Sequence, residues 1–180
     1  MKKLIIFTSL ILVLSWSSIL VAQDDYFIKD YIERLETSKN YLHLVAEMMP
    51  EEAYQFKPTP ESMSFEKHLM HIAWAMDWHS QSLVGGRAAR DWNTDDELKV
   101  ADKSKQQMIN KIDETFDNTI TFIKDFDTNR LVERLDYFGA DRTKRQILLL
   151  LTDHVTHHRA QLLVYLRLNG LKPPRYVLYQ

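Results

Sequence analysis

Apolar residues recur at helical spacing in four long stretches of this chain. The first spans Asp25 to Met49, with Ile28, Tyr31, Ile32, Leu35, Leu42, Val45 and Met49 on one stripe. Steps of three and four residues of this kind predict an amphipathic helix, and Pro50 stops it. Glu51 to Met63 holds Pro58 and Pro60 and predicts an extended connection. Ser64 is the expected N-cap of a second helix, although Lys67 rather than Glu stands three residues on. That helix carries Phe65, Leu69, Ile72, Ala73, Met76 and Leu83, and Gly85-Gly86 closes it. Gly85 to Asp96 is polar and predicts a loop. A third helix is expected from about Asp95 or Asp96 to Phe126, with Met108, Ile109, Ile112, Phe116, Ile120, Ile123 and Phe126 on its apolar face. In the mixed segment Asn129 to Arg142, the residues Leu131, Leu135, Tyr137 and Phe138 predict a brief extended piece. Thr143 is the expected cap of a fourth helix, Lys144 to Asn169, ended by Gly170 and Pro173-Pro174. No stretch sustains a period of two. The pattern predicts an all-α four-helix bundle, with second and third connections long enough to reach across it.

The chain opens differently. Met1-Lys2-Lys3 is basic, Leu4 to Leu14 is almost wholly apolar, and small residues precede the polar Gln23-Asp24-Asp25. These are the marks of a secretory signal peptide. The expectation is a signal over residues 1–22, cleaved near Ala22, and a folded domain over 23–180 that works in the periplasm or outside the cell. An uncleaved anchor is the alternative, because the apolar stretch approaches the length of a membrane span.

Composition narrows the chemistry. The chain has 180 residues, 45% of them hydrophobic, and a formal charge of −2. A domain of this size hides roughly 68–70% of its unfolded surface, so it needs no metal merely to fold. Lys and Arg are spread along the chain, which gives no electrostatic footprint for nucleic acid. Cysteine is absent, which excludes disulfides, thiolate metal sites and a cysteine nucleophile. A transition metal must then be held by imidazole, carboxylate or water.

Imidazole is abundant. His43, His68, His71, His79, His154, His157 and His158 make seven. His154 and His158 are four apart on the fourth helix, so they sit one above the other on one face. His157 is turned about 100° away from His158. Two imidazoles from adjacent turns form a familiar half of a metal site, though the same spacing also occurs on solvated faces. The second helix offers His68, His71 and His79 for a third ligand. His71, beside the core-facing Ile72 and mid-helix, is best placed to point inward, but spacing alone does not choose. His43, His68, His79 and His157 are read as surface or hydrogen-bonded core histidines.

Three motifs now give a resemblance. They are Tyr54 to Ser64 with its prolines, His68-Leu69-Met70-His71-Ile72-Ala73, and Asp153-His154-Val155-Thr156-His157-His158-Arg159-Ala160-Gln161, the last followed by Tyr165 to Gly170 and Pro173-Pro174. Together they resemble the DinB/YfiT-like family of small metal-binding four-helix proteins, over about Asp25 to Tyr176. Ala160 departs from the glycine usual before the glutamine. The resemblance implies a divalent metal, Zn or Ni, held by His71, His154 and His158. It also implies either metal-dependent hydrolysis or thiol transfer on a small-molecule substrate, and a homodimer. Export weighs against thiol transfer, since the usual thiol cofactors are cytoplasmic. A non-enzymatic metal-binding or interaction protein is the competing expectation. Asp77, Asp153 and Gln161 are candidates to orient the imidazoles from behind, and Trp74 and Tyr165 are read as core packing.

Overall fold

Four helices and one hairpin account for the described residues, which in this computed structural model are 26–91, 97–100 and 102–176. The expected signal segment lies outside them. Helix α1 covers 26–48. A 3-10 turn, Glu51–Ala53, follows it within the connection expected to be extended. Helix α2 is Phe65–Asp77, α3 is Lys105–Lys124, and α4 is Lys144–Leu168. No described helix is long and apolar enough to cross a membrane.

Helix starts follow local chemistry closely. The Ser64 hydroxyl accepts from Lys67 N and caps α2. Thr143 caps α4, and Gln146 returns the bond to the cap's backbone N–H. Each such cap stabilises its helix by about 1 kcal/mol. The third helix corrects the sequence reading. It starts about ten residues later than expected, at a capping box formed by Ser104 and Gln107. Residues 97–100 and 102–104 form turns and coil instead, and Phe126 lies past the helix end while still packing in the core.

The second helix changes character where it ends. Residues Trp78–Val84 are π-helical, and Gly85 N donates to Ser80 O five residues back. Two side chains reach into this region: the Ser80 hydroxyl donates to Met76 O, and His79 Nδ1 donates to Ala75 O. Side chains that take carbonyls four residues earlier compete with the α-helical ladder and favour the wider turn.

The expected extended piece is a two-stranded hairpin. Strands β1 (Arg134–Tyr137) and β2 (Ala140–Thr143) pair antiparallel, with Tyr137 opposite Ala140. Phe138 and Gly139 turn the corner with φ of +53° and +81°, the backbone of a primed two-residue turn. The hairpin feeds directly into the Thr143 cap of α4.

One core joins the helices. Leu35, Leu42 and Val45 of α1, Leu69 and Ile72 of α2, Ile112 and Phe116 of α3, and Leu148, Leu151 and Leu162 of α4 are all buried in it. Each such side chain stabilises the fold by roughly 1.5–3 kcal/mol on burial. Polar links, one buried and one at the surface, help set the relative positions of the helices. Tyr31 OH donates to Leu148 O at 2.9 Å, tying α1 to α4, and Lys39 pairs with Asp117 between α1 and α3. Helices α2 and α4 lie side by side, which brings their histidines together.

The end of the π-helical segment sits tight against α3. A Cβ on Gly85 would stand 2.5 Å from Gln81 O and 3.1 Å from the Phe122 ring. Backbone cannot give way as a flexible side chain can. Gly85→Ala should therefore lower stability by roughly 1–3 kcal/mol, read as a drop in the denaturant midpoint with an unchanged slope. An unaltered midpoint would refute the close approach.

Candidate metal centre

His71 lies in the middle of α2, and His154 and His158 lie on successive turns of α4. One ring nitrogen from each falls within 4.8 Å of the others. The ring centroids are 4.5–4.9 Å apart: His154–His158 at 4.5 Å, His71–His158 at 4.6 Å and His71–His154 at 4.9 Å. The three rings brought together are the three singled out in the sequence.

The hydrogen bonds around them show which nitrogens are engaged. Tyr165 OH donates its only proton to Met63 O at 2.8 Å. Its oxygen therefore accepts from His68 Nε2, 3.2 Å away. His68 is neutral at ordinary pH, since burial and the neighbouring histidines push its pKa down to about 4. A neutral ring with a proton on Nε2 has a bare Nδ1. That Nδ1 lies 2.8 Å from His158 Nδ1, so His158 must donate there. The relay fixes His158 in one tautomer and leaves its Nε2 lone pair bare. His79 is engaged at both ends, donating from Nδ1 to Ala75 O and accepting at Nε2 from Tyr137 OH at 3.1 Å.

Of the three candidates on α2 and its π-helical extension, His68 and His79 thus have both nitrogens occupied. His71 makes no hydrogen bond among the described residues; its ring stacks on Trp74. His154 Nε2 is buried with no hydrogen-bond partner. A buried nitrogen left in that state costs about 1–3 kcal/mol, which a bound cation would offset. The donor set also fits chemically, because imidazole suits Zn and Ni. Bonds of about 2.0–2.1 Å to such an ion require the nitrogens to lie no more than about 4.2 Å apart, somewhat closer than the 4.8 Å within which they fall here.

The electrostatics point the same way. Burial comes first in lowering His154 to about 4 and His158 to about 3, and the neighbouring imidazoles add to it. Burial also lowers His71 and His79. Neutral imidazole is the form that binds metal. Beside His71 lies a half-open cavity of about 320 Å³, walled by Met63, Met70, Leu98 and Val100 together with Lys67 and Lys99. On the other side, Trp74 stacks on Trp78 at 5.5 Å, and Trp78 touches the exposed Phe138 of the hairpin tip at 5.6 Å.

The expected orienting residues are elsewhere. Asp77 pairs with Arg87 and Arg90, Asp153 with Arg34, and Gln161 with His157. Arginines thus hold both carboxylates, and His157 holds the Gln161 amide. The orienting groups are His68, read from the sequence as a surface or hydrogen-bonded core histidine, and Tyr165, read as core packing. Their signal was the helical spacing: His68 lies three before His71, and Tyr165 lies seven after His158, two turns along one face. His43 pairs with Asp113 and is half-exposed, and His157 is exposed.

Comparison with known proteins gives the same lineage. The family model described as the DinB family matches residues 25–179. The uncharacterised protein YjoA of Bacillus subtilis (strain 168) is 26% identical over 136 residues, which cover 73% of this chain and 84% of that protein. The crystal structure of this DinB-like YjoA superposes with a TM-score of 0.64 at 21% identity, covering 83% of this chain and 96% of that one. A DinB-like protein from Bacillus cereus ATCC 10987 gives 0.66 at 18% identity, covering 84% and 95%. With nearly all of the described chain inside the family match, this protein belongs to the DinB family.

Proposed function

We propose that the protein is a metal-dependent enzyme that holds Zn or Ni through His71, His154 and His158 and acts on a small molecule outside the cytoplasm. The observation that carries this reading is the sorting of ring nitrogens. Histidines with both nitrogens engaged surround three whose remaining nitrogens converge on one point, next to a cavity. A purely structural cluster has no need of an adjoining cavity, so the enzyme is favoured over a sealed metal-binding protein. Three neutral imidazoles would leave a bound divalent ion its full charge, and the ion would supply Lewis acidity and lower the pKa of a coordinated water toward roughly 7.

The chain's own residues do the positioning. Tyr165 holds His68, and His68 holds the proton of His158 on Nδ1, so that Nε2 faces the cluster. Trp74 braces the His71 ring. Hydrolase-type or thiol-transferase-type chemistry fits the site. The apolar head of the sequence supports export and thus the hydrolase type. A homodimer belongs to the same proposal.

His158→Ala should lower bound zinc at least about tenfold while leaving the helical circular-dichroism signal intact, because one of three ligands goes. Elemental analysis of reloaded protein checks it, and equal metal in both proteins defeats the assignment. His68→Leu keeps the bulk but frees the His158 tautomer, and should weaken zinc affinity about 10–100-fold in chelator competition. An unchanged affinity would show that the relay is only structural.

The lowered histidine pKa values also fix a pH dependence. As pH falls below the ordinary value of 6.5, the unfolded chain takes up protons while folded His68, His154 and His158 resist until about 3–4. Stability from these groups is full above 6.5 and is lost as pH falls toward 4. The melting temperature of metal-free protein should therefore drop steadily from pH 7 to pH 5. A flat or rising profile in calorimetry would contradict the burial of neutral imidazoles.

A further inference from the structure

The wall of the cavity beside His71 carries one kind of charge. Met63, Met70, Leu98 and Val100 make it mainly apolar, Lys67 and Lys99 are its charged members, and among the described residues no carboxylate lines it. Lys67 stands four residues before His71, so both project from one face of α2. Its ammonium is exposed and has no carboxylate partner among the described residues. An apolar recess edged by cations, next to a site suited to a divalent cation, repels cationic ligands and gives neutral ones no electrostatic gain. It attracts an anion with an apolar body.

Size sets a second limit. At about 30 Å³ for each water-sized unit, 320 Å³ accommodates roughly ten heavy atoms. A long-chain lipid or a peptide cannot be enclosed whole, and acetate-sized ions leave the methionine wall bare. The sulfur side chains of Met63 and Met70 are adaptable surfaces for a flexible alkyl or thioether group.

We propose that the substrate of this site is a small amphipathic anion of about ten heavy atoms. Its apolar portion packs on Met63, Met70, Leu98 and Val100, and its anionic group faces Lys67. This names the substrate class of the metal centre and rests on that reading. The cavity itself does not need the ion to bind such a molecule.

Octanoate, 1-octanol and acetate test it, titrated by calorimetry into metal-free and zinc-loaded protein. Acetate reports the affinity of a bare carboxylate, and 1-octanol that of the chain alone. In metal-free protein, octanoate should bind at least about tenfold tighter than acetate and about fivefold tighter than 1-octanol. Lys67→Gln, an exposed change, should bring octanoate close to 1-octanol and leave 1-octanol unaltered. Val100→Trp should weaken both long-chain ligands at least about tenfold by filling the recess. Octanoate no tighter than acetate, or 1-octanol equal to octanoate in the unaltered protein, overturns the proposal. So does an octanoate preference that survives Lys67→Gln. Such a failure in protein that takes up zinc in full leaves the metal centre standing. The preference in protein that binds no zinc at the histidines supports the cavity and removes the metal reading.

Discussion

A neutral imidazole buried between two helices brings two nitrogens out of water, and each needs a partner or a role. That constraint organises the seam between α2 and α4. His68, His79, His71, His154 and His158 are all partly or wholly buried there, and burial holds all of them uncharged. A protonated ring at these depths would have to lose much of its hydration, at a cost of several kcal/mol. Two of the five meet the constraint through hydrogen bonds at both ends. The other three meet at one point, where a single cation can satisfy all of them.

The scaffold makes that division possible through details of helix geometry. Capping by Ser64 and Thr143 fixes where α2 and α4 begin, and so which turns face each other across the seam. The Tyr31–Leu148 bond holds α1 against α4. Past Asp77 the helix widens into a π-helical turn, and His79 swings to bond the Ala75 carbonyl on one side and the hairpin's Tyr137 on the other. The widened turn thus removes one histidine from the cluster while still packing its ring 6.0 Å from His154.

The surroundings of the cluster are unequal. Toward Lys67 and Leu98 lies a recess with an apolar wall and cationic members. Toward the hairpin runs a row of rings, Trp74, Trp78 and Phe138, ending in a phenylalanine that is 80% exposed and holds a positive φ. A bulky residue in the left-handed region costs about 1–2 kcal/mol, and little burial offsets it here. A ligand approaching the cluster therefore meets alkyl and ammonium groups from one direction and flat aromatic surface from the other.

Much of this was legible in the residues alone. The apolar stripes located all four helices, because periodicity reports a buried face wherever that face ends up. The spacing of His154 and His158 put both on one side of α4, since that depends only on residues within a single helix. The start of α3 was misjudged because the polar run before Ser104 carries no strong stop signal, while the Ser104–Gln107 box that sets it is only a local pair. The choice of His71 over its two neighbours needed the family resemblance. In the structure it follows from partners remote in sequence: Tyr165 lies 97 residues from His68, and Tyr137 lies 58 from His79. Asp77, Asp153 and Gln161 had the right chemistry to orient the rings, but arginines and a surface histidine hold them elsewhere. Residue spacing within each helix determined what that helix carries on each face. Only the packing of one helix on another decided which nitrogens were already engaged, because a hydrogen bond between remote residues exists only once the chain has folded.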